Sequence, residues 1–254
     1  MIIKKNNFNK KTFLITGSSG QLGSDLIKKL IKINANIIAI DLICKKKIKS
    51  KKIQYFELDI SKSDMVDQLF INLKKNFLNI DVLINNAGVS FFNPFEKRTE
   101  EELNSTINVN LKGTFYLIKN FSKYYKKNNS MKKIINVSSI YSIISPDPSI
   151  YQKNDRNNSE IYGATKAGIN QMTRYFSVHL AKKNILVNSV SPGGIFNNSS
   201  PQSKSFIKKY CQKNPMKRMA SVNEISDFIL FMSSDECSYL NGQNIILDGG
   251  MSAW

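Results

Sequence analysis

The sequence is poor in the residues that build covalent and metal-held scaffolds. Its 254 residues include three cysteines, one histidine, six prolines and one tryptophan. Cys44, Cys211 and Cys237 are scattered without paired spacing, which excludes a disulfide framework and leads us to expect a reducing, cytoplasmic location. The single histidine, His179, offers no cluster for metal catalysis, so we predict a structural role for it and no metal cofactor.

Long apolar runs and acidic residues are also scarce. No stretch approaches the roughly 18 apolar residues of a membrane helix, and residues 1–11 lack the apolar region of a secretory signal, so we expect no membrane partner. Lys and Arg number 37 against 19 Asp and Glu, a formal net charge of +18. Because the lysines are spread along the chain without an aromatic-interleaved basic motif, we attribute the charge to composition and do not expect a nucleic-acid partner.

Apolar, β-rich runs alternate with segments of helical periodicity. Continuous apolar strands in such an alternation predict a parallel sheet with helices on both faces. About seven strands in one series predict a single doubly wound α/β domain of Rossmann type over residues 1–254. The predicted strands are 12–16, 36–41, 53–58, 81–84, 133–138, 185–190 and 244–247. The predicted helices are 22–33, 64–77, 100–126, 160–182 and 222–233.

The first predicted strand runs into a glycine-rich turn that opens a helix. Gly17 permits the tight turn, Gly20 lets the backbone approach a pyrophosphate, and Gly23 allows close packing of helix on strand. Asp41 ends the second strand, 18 residues after Gly23, where a carboxylate accepts hydrogen bonds from an adenosine ribose. The same charge would repel a 2′-phosphate, which favours NAD over NADP, whereas lysines 45–47 are an opposing signal that leaves NADP open.

Two further motifs carry polar groups suited to chemistry. Residues 85–88, Asn-Asn-Ala-Gly, follow the fourth strand with small residues that a flat ring can approach and amides that can tie the loop. Tyr162 and Lys166 share one face of a helix, at positions i and i+4. A free tyrosine is a poor base at neutral pH, and a neighbouring ammonium lowers its pKa. This pair can therefore give and take a proton beside a carbonyl or an alcohol.

These motifs together resemble the short-chain dehydrogenase/reductase family, over nearly the whole chain from Thr12 to Gly250. The segments that carry the resemblance are the glycine turn, 59–61, 85–88, 108–113, 137–139, the pair Tyr162 and Lys166, 191–193 and 248–250. The resemblance implies an NAD(P)-dependent oxidoreductase that transfers a hydride between nicotinamide and a carbonyl or hydroxyl carbon.

The resemblance also implies a role for each matching residue. Tyr162 would be the catalytic acid/base, and Lys166 would lower its pKa and hold the nicotinamide ribose. Ser139 would bind the substrate oxygen, while Asn110 would kink its helix and hold a water in a proton relay. The implied cofactor-binding residues are Gly17, Ser19, Gly20, Gln21, Leu22, Gly23, Asp41, Asp59, Ile60, Asn86, Ala87, Gly88, Tyr162, Lys166, Pro192, Gly193 and Ile195.

The chain departs from the family's single-domain branch at three places. Gln21 stands where that branch has glycine, so the glycine spacing resembles that of the extended branch. Asn197 stands where that branch often has threonine after Pro-Gly, near the cofactor diphosphate. The third departure is an insertion over about 140–161, which places Tyr162 23 positions after Ser139.

The insertion is the best indicator of the substrate. It leaves from the catalytic serine and returns to the catalytic tyrosine, so we expect it over the pocket; the alternative is a solvated surface loop. Tyr141, Tyr151 and Arg156 are the candidate substrate-binding residues, since arginine suits phosphate or carboxylate and tyrosine suits hydroxyl-rich ligands. Residues 157–163 and 252–254 resemble family members of surface-carbohydrate and flagellin-glycan biosynthesis, which implies a sugar or sugar-phosphate substrate.

Two other functions remain open on sequence grounds. A 3-oxoacyl-thioester reductase would use the same catalytic residues, and its acidic carrier is compatible with the positive net charge. A non-catalytic nucleotide-sensing protein would keep the fold but need not retain all four catalytic residues. The helices predicted over 100–126 and 160–182 carry more apolar positions than one sheet face should cover. In the family such helices pair across a two-fold axis, which implies a homo-oligomer, with a tetramer favoured over a dimer.

Overall fold

The fold is organised around one parallel sheet. The computed structural model describes residue 8 and residues 10–45, 47–76, 79–124, 130–151, 157–198 and 202–254. Within these ranges, seven strands pair in parallel in the order β3-β2-β1-β4-β5-β6-β7. They are β1 (Thr12–Thr16), β2 (Asn36–Asp41), β3 (Ile53–Glu57), β4 (Val82–Asn85), β5 (Lys132–Val137), β6 (Ile185–Pro192) and β7 (Asn244–Leu247). The prediction of a parallel sheet of about seven strands is confirmed.

The helices differ from the predicted set at two places. They are α1 (Gln21–Lys32), α2 (Ser63–Lys75), α3 (Glu100–Thr106), α4 (Thr114–Tyr124), α5 (Glu160–Leu180), α6 (Lys204–Lys213) and α7 (Val222–Ser233). A π-helical segment, Ile107–Gly113, separates α3 from α4, so the helix predicted over 100–126 is interrupted. Helix α6 was not predicted, because its lysines obscure a short apolar face. None of the described helices is both long and apolar enough to cross a membrane.

The helices cover the sheet on both faces, as predicted. Helices α1 and α7 form one core with alternate strand residues such as Ile15, whereas α2, α4 and α5 form a second core with residues such as Leu14. Both of these β1 side chains are fully buried. The strands are therefore apolar on both faces, and their sequences are continuous apolar runs rather than alternating ones.

The order of the strands creates a crevice at one edge of the sheet. The chain builds outward from β1 to β2 and β3, then returns to place β4 on the other side of β1. Loops that leave the carboxyl ends of β1 and β4 diverge at this switch point, and ligands of such sheets bind there. The loops that begin at Gly17, Asn86, Ser138 and Gly193 all lie at this edge.

Candidate active site

The turn between β1 and α1 depends on glycine at two positions. Gly17 has a φ of +65°, and a Cβ on it would lie 2.9 Å from the Cα of Ala87. A Cβ on Gly23 would lie 2.2 Å from the carbonyl oxygen of Gly17, so the first turn of α1 packs directly on the loop. Gly20 is less constrained, since its Cβ would lie 3.3 Å from the same oxygen. No acidic residue neutralises the first turn of α1, which leaves its positive dipole end available to an anion.

The loop after β4 is tied to this turn through short polar contacts. The Asn86 side chain donates to the carbonyl oxygens of Thr16 and Gly17, each at 3.0 Å. The backbone N–H groups of Asn86 and Ala87 both donate to the Thr16 hydroxyl at 3.1 Å. These contacts hold the carboxyl ends of β1 and β4 together at the base of the cleft.

Asp41 fixes the turn from the other side. Its Oδ2 accepts from the N–H of Ser19 at 2.8 Å, and its Oδ1 accepts from the N–H of Leu42 at 2.8 Å. Each carboxylate oxygen has a further acceptor site, which a ligand hydroxyl can use. Lys45 lies at the same end of the cleft, whereas Lys47 forms a 3.2 Å ion pair with Glu57.

Two cavities meet at this edge of the sheet. The first, of about 850 Å³, is lined by predicted cofactor residues: Gly17, Ser19, Gly20, Gln21, Leu22, Asp41, Asp59, Ile60, Asn86, Ala87, Gly88, Tyr162, Pro192, Gly193 and Ile195. The second, of about 570 Å³, lies beside the insertion and is lined in part by Tyr141 and Tyr151. Ser139 and Tyr162 line both cavities. Gly23 and Lys166 line neither cavity and instead pack close behind the cleft surface.

The electrostatics of the tyrosine–lysine pair differ from the expectation. Burial raises the pKa of Tyr162 to about 12, and an interaction with the Ser139 side chain opposes that shift. Burial lowers the pKa of Lys166 to about 8. Its Nζ lies 5.5 Å from the Tyr162 ring centroid and donates to the carbonyl oxygen of Val137 at 2.8 Å. Burial is thus the dominant influence on the pKa of Tyr162, and the lowering expected from Lys166 is not seen.

Asn110 lies in the π-helical segment and is fully buried. Its Oδ1 accepts from the N–H of Val89 at 2.8 Å, and its Nδ2 donates to the Val89 carbonyl oxygen at 2.9 Å. Nδ2 also lies 3.2 Å from the Thr165 hydroxyl. A Cβ on Gly88 would lie 3.3 Å from Asn110 Oδ1 and 3.4 Å from Lys166 Nζ, so both side chains lie close to the backbone of Gly88. Asn110 was expected to kink its helix and to hold a water in a relay, and both stay predictions; the structure places it in the π-helical segment between α3 and α4.

The insertion supplies one wall of the second cavity. The hydroxyls of Tyr141 and Tyr151 lie 3.3 Å apart, and burial raises the pKa of Tyr141 above its ordinary value. Asn158 accepts from the Ser90 hydroxyl at 3.0 Å, which ties the end of the insertion to the loop after β4. Arg156, the third substrate candidate, lies outside the described residues.

Helix α6 forms the facing wall and contacts the insertion directly. Lys213 forms an ion pair with Asp147, and Lys209 donates to the carbonyl oxygen of Ser149 at 3.0 Å. The Tyr151 and Phe206 rings lie 5.6 Å apart between centroids. Ile150, which is fully buried, forms a small third core with Tyr210 and Met219.

Comparisons with known proteins match this arrangement. The family model described as enoyl-(acyl carrier protein) reductase matches residues 28–252. The 3-oxoacyl-(acyl-carrier-protein) reductases FabG of Buchnera aphidicola and Thermotoga maritima are 33% and 32% identical to this chain, and each alignment covers 95% of the chain and 97% of the relative. A short chain dehydrogenase from Leptospira borgpetersenii, solved with bound NAD+, is 37% identical, with 99% of this chain and 97% of that one covered and a TM-score of 0.92.

The chain belongs to the short-chain dehydrogenase/reductase family. Short-chain dehydrogenases/reductases are NAD(P)-dependent oxidoreductases, and the prediction of this class of enzyme is confirmed. The names of the two FabG relatives refer to acyl-carrier chemistry, and the carbohydrate association is not shown.

Several residues of the second cavity were missed by sequence reasoning. In this short-chain dehydrogenase/reductase, Asn158, Gln202, Phe206 and Tyr210 line the cavity but were not predicted as site residues. Three of them lie on or just before α6, whose apolar residues recur at 3- and 4-residue spacing after the N-cap Ser203. That periodicity was the available signal.

The predicted structural role of His179 fits its position, stacked on Tyr175 with ring centroids 4.0 Å apart.

Proposed function

We propose that this chain is an NAD-dependent dehydrogenase/reductase that acts on a compact, hydroxylated substrate of the sugar or sugar-phosphate type. The observation that carries the proposal is the junction of the two cavities, where Ser139 and Tyr162 line both. Carbonyl reduction requires a proton donor between the cofactor and the substrate, held in reacting geometry. Tyr162 has that position, and Ser139 lies beside it.

The first cavity fits a dinucleotide. The cradle left by Gly17 and the N-terminus of α1 would hold the diphosphate, and Asp41 would hold the adenosine ribose. When bound, the nicotinamide supplies or accepts the hydride. The charge of Asp41 supports NAD over NADP, because it repels a 2′-phosphate. Lys45 also lines this cavity, and its positive charge could offset that repulsion.

The cofactor assignment can be tested by direct binding. We expect NADH to bind more tightly than NADPH, and the Asp41→Ala variant to narrow the difference without abolishing binding. About tenfold tighter binding of NADPH to the unaltered chain would overturn the assignment.

Tyr162 acts as the acid in the direction of reduction. It gives its phenolic proton to the substrate carbonyl oxygen, which Ser139 holds by a hydrogen bond. A pKa near 12 keeps the phenol protonated at neutral pH, which suits this role. Lys166, with a pKa of about 8, still carries its charge at neutral pH and stabilises the phenolate that remains. Asn110 is a positioning residue in this proposal, because its paired bonds to Val89 hold the loop beside Lys166.

The proposed substrate class rests on the lining of the second cavity. Tyr141, Tyr151, Asn158, Gln202 and Ser203 supply hydroxyl and amide groups along its walls. Such groups can donate and accept hydrogen bonds with a polyhydroxylated ligand. The insertion and α6 contact each other beside this cavity. Because this contact closes one side of the cavity, it favours a compact substrate over an acyl chain attached to a carrier protein through a long flexible linker.

A second candidate function is reduction of a 3-oxoacyl thioester on an acidic carrier protein. The names of the FabG relatives favour it. Phe206 and Met219 add apolar surface to the second cavity, and Lys204 and Lys208 are exposed on α6, where an acidic carrier could dock.

One assay separates the two candidates. Keto- and hydroxy-sugars, their phosphates, and acetoacetyl thioesters would be compared by nicotinamide absorbance. We expect kcat/KM for the best sugar-type substrate to exceed that for the thioester by about tenfold. The reverse ratio would select the thioester reductase. In that case, the paired change Lys204→Glu and Lys208→Glu should raise KM for the carrier-bound substrate and leave the free thioester unaffected.

We also propose that the chain forms a homo-oligomer, a tetramer rather than a dimer. Its support is apolar surface on the outer faces of α4 and α5, where Phe115, Tyr175 and Val178 are 40%, 54% and 71% exposed. The Phe176 ring connects Phe115 and Tyr175, at centroid distances of 6.2 and 5.4 Å, and an apolar patch of this kind is typical of an interaction site. Light scattering tests the proposal, and a monomer at micromolar concentration would contradict it.

A further inference from the structure

One hydrogen bond links a side chain that lines the cofactor cavity, Gln21, to the backbone next to Ile195 on the other side of that cavity. Gln21, the first residue of α1, donates from its Nε2 to the carbonyl oxygen of Phe196 at 2.5 Å. Gln21 follows β1 and Phe196 follows β6, and these strands are separated in the sheet by β4 and β5. Three strand spacings amount to about 14 Å. The hydrogen bond therefore joins two walls of the cleft that the sheet itself holds apart.

The far end of this bond is held firmly. Gln202 donates from its Nε2 to the carbonyl oxygen of Ile195 at 2.9 Å and accepts from the N–H of Asn197 at 3.3 Å. Between them, the N–H of Phe196 donates to the carbonyl oxygen of Ala220 at 2.9 Å. The carbonyl group that Gln21 reaches thus belongs to a backbone segment that is fixed on both sides.

We propose that Gln21 is a strap that retains the cofactor. The N-terminus of the helix that Gln21 begins would hold the diphosphate of a dinucleotide, and a hydrogen bond that joins the two sides of the cleft at this point would then oppose release. The strap reaches the segment that contains Asn197, the second position where the chain departs from the single-domain pattern at the diphosphate. The inference rests on dinucleotide binding in this cleft and is independent of the substrate.

The rate of NADH release tests the strap. The Gln21→Leu variant keeps the size of the side chain and removes its donor. The net value of a neutral hydrogen bond corresponds to about three- to tenfold faster NADH dissociation, measured by stopped-flow fluorescence. Gln68→Leu, on the exposed face of α2, is the matched control and should leave the rate unchanged. Thermal unfolding without cofactor checks that both variants are folded.

A shorter probe shows whether the effect comes from the strap or from the turn. AMP occupies the adenosine end and does not extend across the diphosphate, so its affinity for Gln21→Leu should stay within about twofold of that for the unaltered chain. An NADH dissociation rate that is unchanged or slower would overturn the proposal. A parallel loss of AMP affinity would also overturn it, since Gln21 would then act through the fold of the turn. Failure of the unaltered chain to bind NADH would instead contradict the cofactor assignment.

Discussion

The two walls of the active site are built by different kinds of contact. The cofactor wall, comprising the glycine turn after β1 and the loop after β4, is held by backbone groups and short side chains such as Thr16 and Asn86. The substrate wall, comprising the turn 147–151 of the insertion and helix α6, is held by long side chains. Lys213 pairs there with Asp147, and Tyr151 packs against Phe206.

The two walls therefore differ in how freely their sequences can vary. Backbone contacts with glycine at fixed points tolerate almost no change of side chain, so the cofactor wall carries a sequence motif. Many sequences can form contacts between exposed lysines, a carboxylate and aromatic rings. The substrate wall therefore carries no recognisable sequence motif. Tyr162 lies where the two walls meet. Substitutions in one wall or at the junction can be distinguished by their separate effects on NADH affinity, stability and substrate turnover.

The largest effect is expected at the junction. Tyr162→Phe keeps the ring and removes the hydroxyl, so activity should fall by roughly 10²–10⁴-fold, the usual contribution of general acid catalysis. NADH affinity should barely change, because the cofactor wall is intact. Tyr239→Phe, a change at a fully exposed tyrosine, is the control. Retention of most activity by Tyr162→Phe on a confirmed substrate would show that the proton comes from another group.

The next largest effect is expected at Lys166, the buried lysine behind the junction. Its pKa of about 8 in the folded chain lies below the ordinary value of about 10.4. Between these two pH values the unfolded chain holds a proton that the folded chain has released, so this group makes the free energy of unfolding rise with pH. Lys166→Met should remove that rise, which amounts to up to about 3 kcal/mol.

Denaturant titrations at several pH values measure this difference between variant and unaltered chain. The advantage of Lys166→Met should be greatest near neutral pH and should shrink as the pH approaches 10. Lys28→Met, at an exposed lysine, should show no such trend. A stability difference that is constant with pH would mean that Lys166 is not desolvated in solution.

A change in the cofactor wall should cost both stability and cofactor affinity. In Gly23→Ala, the new Cβ would meet the Gly17 carbonyl oxygen at 2.2 Å, so the turn must shift. Overpacking of this kind costs about 1–3 kcal/mol, and NADH should bind more weakly because the helix start moves. Gly20→Ala is the matched control for stability, since its Cβ would lie 3.3 Å from the same oxygen. Equal losses in the two variants would contradict the packing argument.

The smallest effect is expected in the substrate wall. Asp147→Asn removes the charge that pairs with Lys213 and keeps the shape of the side chain. Because exposed ion pairs contribute little, KM for the substrate should rise only about two- to fivefold, with NADH affinity unchanged. Asp235→Asn is the control. It breaks a comparable exposed ion pair, between Asp235 and Lys11, and Asp235 lines neither cavity. An equal rise in KM for both variants would mean that the turn 147–151 has no specific link to the substrate.

The cofactor side of the site could be read from the sequence because its geometry is local. Gly17 and Gly23 are required by a positive φ and a short helix-to-loop distance, and both constraints act within one turn of chain. Asp41 could be placed for a similar reason, since the end of a strand fixes its position. No signal in the sequence indicated the π-helical segment around Asn110 or the pairing of its amide with Val89.

The parallel sheet, its switch point and the side chains that meet there could all be predicted from local patterns, because periodicity and glycine requirements act over short stretches of chain. The pKa of Tyr162 could not be predicted in this way, because it depends on burial by distant segments of the chain rather than on its neighbour in the helix. The tertiary structure also determined that α6 closes on the insertion and that Gln21 reaches Phe196 across the cleft. These contacts join residues separated by tens to more than a hundred positions, and no local pattern records such a distance.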